Sequence, residues 1–464
     1  IVLPIHLIVE GFRWQMIPLF VITLGCILLG FYQHYRRKGK SYLIRNNIVR
    51  ISSQVLTLLL YIISVIFPVL LPVVHLPAPT GPYEVGTKSF RMVDYEREEL
   101  FTKDSLDLRN LLVTVWYPAE GTDGMPVSSY WDKKSTTGKV YSLAAGMGKF
   151  WYTHISLVKT NSYSEAPVVS GEAPFPVIIY SPSFYGMNTE NTMLLEELAS
   201  HGYIVFSITH SYETIVSVFP DGEVIPGNLD HISELYDSNA DQEEQLYEDY
   251  MNTEDIGRKT DLIKQILVVD EVFNQLVKIR MEDAIFVLDE IVKLNKQEGI
   301  FFSHLDLNRV GILGWSFGGA ATMEACIADS RFKAGINIDG WPYGNMFNSA
   351  EPLSQPMMQI RSESEDENED EQNDIISKLI FEKSESAAYQ LEIRGASHMN
   401  FWDFPLFFKI YNRLGYWGPI DPLRLLEIES ACIKGFFDLY LKGQAINLPA
   451  VNSDLFPELS IEEK

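Results

Sequence analysis

The stretch from Arg309 to Ala328 constrains this chain more than any other of its length. A short apolar run, Arg309-Val-Gly-Ile-Leu313, leads into Gly314-Trp315-Ser316-Phe317-Gly318, and Gly319-Ala-Ala continues into an apolar segment ending at Ala328. The first part reads as a buried strand and the last as a helix, so Ser316 stands at a strand-to-helix turn. Small residues around such a turn relieve crowding, which accounts for the glycines at 314, 318 and 319. A serine held there presents its hydroxyl at a helix N-terminus, where developing negative charge is stabilised. The context predicts that Ser316 is a nucleophile rather than one residue of a tight structural turn.

The flanking sequence repeats the same alternation. Strands are expected at Leu111–Tyr117, Val177–Ser181, Tyr203–Ile208, Arg309–Leu313, Lys333–Ile338, Pro356–Arg361 and Tyr389–Arg394. Between them, Glu190–Ser200 reads as a helix with Gly202 just past its end, and Gln265–Leu294 carries long helical periodicity. Asp421-Pro422 opens a last helix with a cap and a proline in its first turn, and Gly443 closes it. Strands alternating with helices imply an α/β fold with a mostly parallel sheet and helices on both faces.

A serine hydroxyl is a weak nucleophile without a base, and the base needs an orienting acid. Where the serine sits on a strand-to-helix elbow of such a sheet, the chain order is Ser, then Asp or Glu, then His. His398 is the one histidine after Ser316, and it follows the strand ending at Arg394. Asp339 ends the run Lys333-Ala-Gly-Ile-Asn-Ile338 and meets Gly340-Trp-Pro342, so its carboxylate is expected at the same sheet edge. Asp366, after the next strand, is the competing acid. One oxyanion donor is the N–H of Phe317, the residue after the nucleophile. The second belongs to the loop Tyr180–Gly186, at a position the pattern does not locate. Among the other histidines, His210 ends a strand and is a candidate for the pocket wall, whereas His201 reads as a helix C-terminal residue.

These residues resemble the plasma-type platelet-activating-factor acetylhydrolases and their bacterial relatives, a branch of the α/β-hydrolases, over about residues 80–445. The resemblance rests on Gly81-Pro-Tyr-Glu-Val-Gly86, Ser200-His-Gly-Tyr-Ile-Val205, Gly314-Trp-Ser-Phe-Gly-Gly319, Arg331-Phe332 leading to Asp339-Gly-Trp341, and Arg394-Gly-Ala-Ser-His-Met-Asn-Phe401. It implies an α/β-hydrolase fold with Ser316 as nucleophile, Asp339 as acid and His398 as base, and it maps the second oxyanion N–H to Phe184. It further implies a carboxylic-ester hydrolase acting on short-chain acyl esters, including those of phospholipids, with no metal or other cofactor. Two positions depart from the family: Ser181-Pro182-Ser183 where Ser-His-Gly is usual, and Trp315 where histidine usually precedes the serine. Both touch the pocket wall and bear on substrate more than on mechanism. The rival readings are a general esterase, an amidase or peptidase with the same triad, and an inactive membrane-tethered binding module.

The N-terminal region is of another kind. Met16–Tyr32 is an uncharged apolar run and Ile51–Leu76 is a longer one. Crossing the hydrocarbon core takes about 20 apolar residues, with about 17 as the lower end. Arg36, Arg37, Lys38, Lys40, Arg45 and Arg50 lie between the runs, a basic loop of the kind retained in the cytoplasm. The expectation is a multi-pass anchor over residues 1–76 in the cell membrane, with Ile1–Val9 as the tail of another span and the catalytic domain outside the cytoplasm. A cleaved signal peptide over 1–30, or a pair of buried amphipathic helices, is the alternative. Pro77-Ala-Pro-Thr-Gly-Pro82 then reads as a rigid linker, residues 83–445 as the catalytic domain and 446–464 as a C-terminal tail.

Charge and cysteine usage narrow the partners. The net charge is -25, yet residues 1–76 carry seven Lys/Arg and one Asp/Glu, so the negative charge lies wholly on the remainder. An acidic body of this kind repels phosphate backbones and disfavours nucleic-acid binding as a function. Cys26, Cys326 and Cys432 do not make a disulfide framework, and no CxxC or Cys/His cluster suggests zinc. Two acidic segments interrupt the alternation. Asp230–Lys259 reads as a lid or as a solvated insertion, and Glu363–Asp374 as a solvated loop without the glycine and spacing of an EF-hand calcium site.

Overall fold

The strands expected around Ser316 form the middle of a single large sheet. A computed structural model of the chain describes residues 7–8, 11–36, 47–235, 239–364, 366–445 and 455–464. In chain order the strands are β1 (Glu84–Glu98), β2 (Leu108–Ala119), β3 (Val127–Ser129), β4 (Lys159–Ser164), β5 (Phe175–Ser181), β6 (Ile204–Thr209), β7 (Val216–Val218), β8 (Val224–Pro226), β9 (Leu305–Trp315), β10 (Phe332–Ile338), β11 (Met357–Ser362), β12 (Ala388–Ile393) and β13 (Leu459–Glu463). Eleven of them make one sheet in the order β13-β12-β11-β10-β9-β5-β6-β2-β1-β4-β3, and β7 pairs with β8. From β6 through β5, β9, β10 and β11 to β12 every neighbouring pair is parallel. The pairs β6–β2, β2–β1 and β12–β13 are antiparallel.

The helices are α1 (Ile17–Arg36), α2 (Asn47–Leu70), α3 (Thr136–Ala144), α4 (Thr192–Ser200), α5 (Leu229–Leu235), α6 (Ala240–Met251), α7 (Ile256–Val269), α8 (Glu271–Leu294), α9 (Phe317–Ala328), α10 (Glu367–Lys383) and α11 (Pro422–Tyr440), beside shorter turns. Successive residues of a strand face opposite sides. Val177 and Ile179 of β5 and Ile312 of β9 therefore pack with Val287 and Ile291 of α8 and Met323 of α9. Ile178 and Tyr180 of β5 and Leu313 of β9 pack with Leu194 and Leu198 of α4 and Phe437 of α11. Each fully buried aliphatic side chain contributes roughly 1.5–3 kcal/mol, and both faces are filled. This is the mostly parallel α/β sheet with helices on both faces that the alternation predicted, and the α/β-hydrolase fold that the resemblance implied.

Several boundaries differ from the sequence reading. The periodicity over Gln265–Leu294 is broken at Asp270, whose carboxylate accepts from the N–H of Phe273 and starts a new helix. The acid run is not a loop: Asp366 accepts from the N–H of Asn368 and caps α10. Carboxylates in a first helical turn oppose the positive end of the helix dipole, so the same acids that suggest a solvated loop favour a helix start. The segment 230–259 is largely helical as well, in α5, α6 and the start of α7. Tyr250 donates to Glu371 of α10 at 3.0 Å, and Lys259 forms a salt bridge with the same carboxylate. Residues 236–238 and 365 lie outside the described residues. So does part of the segment read as a tail (446–454), but its end forms β13 at the sheet edge, with Leu459 buried and Ile461 packed against the core.

The chain divides into two compact units, one of residues 76–128, 160–405 and 412–464, the other of residues 1–75, 129–159 and 406–411. The first contains the sheet residues around Ser316. The second contains α1 and α2, and it takes in 129–159, which a contiguous catalytic domain over 83–445 would have kept. Aromatic packing accounts for this. The Trp14 indole donates to the carbonyl of Trp151 at 3.2 Å, and the rings of Trp14 and Phe67 lie 5.4 and 5.8 Å from Trp151. Trp14–Tyr32 and Asn47–Leu70 are long and apolar enough to cross a membrane, and only 6% of each apolar window is buried. That exposure removes the reading of α1 and α2 as buried amphipathic helices. The loop residues Arg37, Lys38, Lys40 and Arg45, and positions 1–6 and 9, lie outside the described residues.

Candidate active site

Ser316 is built by the turn between β9 and α9. Its backbone has φ 56° and ψ -122°, a strained conformation for a residue with a side chain. Its N–H donates to the carbonyl of Ile338 at 2.7 Å, which ties the turn to the end of β10. The helix backbone passes so close to β5 that a Cβ on Gly318 would run into the carbonyl oxygens of Ser181 and Pro182. Only glycine fits there. Phe317 opens α9, so its N–H is among those without an intrahelical acceptor.

Asp339 follows β10 and is also left-handed, with φ 52°. Asn337 braces the turn: its Nδ2 donates to the carbonyl of Gly340 at 2.7 Å, and its Oδ1 accepts from the N–H of Gly340 at 2.9 Å. The Asp339 carboxylate accepts from the Ser362 N–H at 2.7 Å and the Ser362 hydroxyl at 2.9 Å. Its Oδ2 lies 2.8 Å from Nδ1 of His398. Asp366, the competing acid, is spent on capping α10.

His398 begins a 3₁₀ turn after β12. Glu363 holds this loop, accepting from the N–H of Gly395 at 2.6 Å, while the Glu363 N–H donates to Ala396 at 3.1 Å. The imidazole lies over Trp315, ring centroids 5.5 Å apart. Burial disfavours the imidazolium, but the hydrogen bond and charge of Asp339 outweigh it and raise the His398 pKa above 6.5.

Ser316, Phe317, Asp339, His398 and Phe184 all line one cavity of about 380 Å³. Phe184, Phe273, Phe317, Trp341, Tyr343 and Tyr247 give it an aromatic side, and Gln359, Arg361, Glu369 and Asn373 a polar one. Tyr247 comes from the acidic insertion, and Glu369 and Asn373 come from the acid run. Neither contribution was legible in segments whose composition reads only as polar.

His210 is not a pocket residue. It is buried behind the loop after β5, with Nε2 3.0 Å from the Ser181 hydroxyl and Nδ1 2.8 Å from Asp283. The arrangement looks like a second Ser-His-Asp set, but Ser181, His210 and Asp283 are all buried from solvent. Arg109 donates to Asp283 at 2.6 and 3.0 Å and to Glu213 at 3.3 Å, and Arg280 donates to Glu213 at 2.8 Å. Burial pushes the Asp283 carboxyl up, but Arg109 and Arg97 dominate and hold it well below the usual carboxylate range. Burial lowers the pKa of His210 despite Asp283, favouring the neutral imidazole. His210, Glu213 and Asp283 are close enough to grip a metal ion. Two buried guanidinium groups already occupy their oxygens, and that positive charge opposes a divalent cation. The cluster is an ion-pair core, which alternation and motif reading had no means to reveal.

A family model described as platelet-activating factor acetylhydrolase, isoform II, matches residues 70–444. A platelet-activating factor acetylhydrolase from Cavia porcellus is 25% identical over 400 residues, covering 83% of this chain and 84% of that protein. A protein from Arthroderma benhamiae named "Probable 1-alkyl-2-acetylglycerophosphocholine esterase" is 23% identical over 408 residues, covering 83% and 92%. Among solved structures, a ferulic acid esterase from Streptomyces cinnamoneus superposes with a TM-score of 0.62 at 23% identity, covering 83% of this chain and 98% of that one, a likeness of fold. With a match spanning the sheet from its first strand to the last helix, the chain belongs to the isoform II family of platelet-activating factor acetylhydrolases.

Proposed function

We infer that this protein is a serine carboxylic-ester hydrolase in which Ser316 attacks the acyl carbonyl of a short-chain ester. The observation that carries the reading is the shared cavity, lined both by a strained serine at a helix N-terminus and by a histidine already bonded to a carboxylate. His398 takes the Ser316 proton as the tetrahedral intermediate forms and returns it to the leaving alcohol. Asp339 fixes the imidazole tautomer and stabilises the imidazolium. The N–H groups of Phe317 and Phe184 bind the oxyanion. Water, activated by His398, then releases the acyl group from the serine. No step calls for a metal or an organic cofactor.

Family membership and the aromatic cavity support a lipid ester with a short acyl chain as substrate, in line with the names of the relatives. The two apolar helices support an anchor in the cell membrane, and the basic residues between them, Arg36 to Arg50 in the sequence, support an extracytoplasmic hydrolase unit. The test is hydrolysis of p-nitrophenyl acetate and of a short-chain phospholipid by the detergent-solubilised full chain, beside Ser316→Ala. Loss of a triad serine costs on the order of 10⁶ in turnover. Equal activity of the variant would remove Ser316 as nucleophile. Comparable turnover of soluble esters with no preference for the phospholipid would leave a general esterase. Protease accessibility in sealed vesicles reports the side on which the hydrolase unit lies.

A further inference from the structure

The loop after β5 has its peptide groups held from two sides. Arg280, on α8, donates from Nη1 to the carbonyl of Pro182 at 2.6 Å and from Nη2 to the carbonyl of Ser183 at 3.2 Å. From the other side, Glu190 accepts the N–H of Ser183 at 2.7 Å and the Ser183 hydroxyl at 2.8 Å. The peptide unit joining Pro182 to Ser183 is therefore gripped at both its carbonyl and its N–H. The next unit, joining Ser183 to Phe184, is gripped at its carbonyl only, by Arg280 and by the N–H of Gly186 at 2.9 Å. In a planar trans peptide the N–H lies opposite the carbonyl, so the Phe184 N–H is directed away from Arg280. Among the described residues no group accepts from it, and Phe184 lines the cavity that contains Ser316.

Arg280 is itself immobilised. It is 1% exposed, its Nε is bonded to Glu213, and its guanidinium lies 4.9 Å from the centre of the Phe317 ring. Pairing with Glu213 satisfies the charge of a buried guanidinium. That pairing alone does not require two donors to be spent on adjacent carbonyls of one loop. The fork of the guanidinium matches that pair of carbonyls as a single ammonium does not. Tyr180 braces Glu190 in turn, at 2.9 Å.

We propose that Arg280 is a positioning residue for oxyanion binding: by holding the carbonyls of Pro182 and Ser183, with Glu190 locking the intervening peptide, it sets the direction of the Phe184 N–H toward the substrate oxygen. This rests on the reading of Ser316 as the nucleophile. Without Arg280 the Ser183 carbonyl keeps only the Gly186 N–H, a bond within the loop itself that does not tie it to α8, so the Phe184 N–H loses its fixed direction relative to the Phe317 N–H.

The experiment compares Arg280→Lys and Arg280→Gln with the wild type, all as full-length detergent-solubilised protein. It measures kcat and KM on p-nitrophenyl acetate, inhibition by a trifluoromethyl ketone that adds to the serine as an oxyanion, and the thermal midpoint. A folded variant is expected to lose about 10²-fold in kcat, the scale of one oxyanion donor. KM stays within about 3-fold, and ketone affinity falls in step with kcat/KM. Unchanged kcat in a folded variant overturns the proposal, as does a fall in kcat with ketone affinity unmoved. If both variants fail to fold, Glu190→Leu removes the other grip on the loop. The same paired loss then supports the proposal, and wild-type kinetics overturn it. Activity that survives in Ser316→Ala is a separate outcome, which ends the nucleophile reading instead.

Discussion

Nδ1 of His398 lies 2.8 Å from Oδ2 of Asp339, and Asp339 meets two further donors from Ser362. The carboxylate is thus fixed from one side while it fixes the imidazole on the other.

A pH profile follows from this pair. The base must be neutral to take a proton, and His398 is raised above 6.5, burial being outweighed by Asp339. The kcat/KM value should therefore rise with pH and reach half its plateau above 6.5. Asp339→Asn should move that limb to lower pH and cut kcat by about 10⁴. An unmoved limb in the variant would remove Asp339 as the partner. The sign for stability is opposite: a raised histidine pKa contributes stability that is full below the unfolded value and is lost as pH rises through the folded one.

Gly318→Ala should damage both fold and catalysis, because its Cβ meets the carbonyl oxygens of Ser181 and Pro182 and these are backbone atoms. A cost of about 1–3 kcal/mol is expected from such overpacking, read as a lower thermal midpoint, with kcat falling as the loop is displaced. A variant with wild-type midpoint and kcat would show that the β5 loop yields freely.

The two Ser-His-Asp sets should separate under a fluorophosphonate probe. Ser316 lines the cavity, whereas Ser181 is wholly buried and bonded to His210. Labelling should be lost in Ser316→Ala and retained in Ser181→Ala. A phosphonylated Ser181 in the mass spectrum would refute the structural role given to the inner set.

Glu429, on α11, is buried with one carboxylate oxygen unpartnered. Burial pushes its carboxyl from 4.5 up to about 8. The folded state thus holds a proton that the unfolded chain has released, and this residue makes stability fall as pH rises from about 4.5 to about 8. Glu429→Gln should gain on the wild type across that window, by a few kcal/mol at the upper bound. Thermal midpoints at the two ends of the window measure the difference. A constant offset between the curves would mean that Glu429 does not titrate there.

The elements flanking Ser316 were legible because their signals are local. The helix over Phe317–Ala328 and the strand ending at Ile338 have the ends that glycine spacing and apolar runs predict. β1 was missed because Thr87-Lys-Ser-Phe-Arg-Met-Val-Asp94 is a partly exposed strand with polar residues on both faces, and its stability comes from pairing with β2. The positions of Ser316, His398 and Asp339 could be read from chain order. The surroundings that orient them could not. Arg280, Glu213 and Asp283 are separated from Pro182 and Arg109 by long stretches of chain, and they matter only once the fold buries their charges together. Glu363 and Tyr247 were hidden by the composition of their own segments, where a carboxylate or a ring that faces inward looks like its neighbours.

The division into two units changes what a protease could accomplish. A tethered enzyme joined to its anchor by one linker is shed by one cut, and Pro77–Pro82 looks like such a place. Here the backbone passes from one unit to the other at 75/76, 128/129, 159/160, 405/406 and 411/412. Cutting the linker breaks the single covalent path from α1 and α2 to the hydrolase. Residues 129–159, however, stay joined to it at 128/129 and 159/160 while Trp151 packs on Trp14 and Phe67, so release after one cut also requires that aromatic packing to come apart.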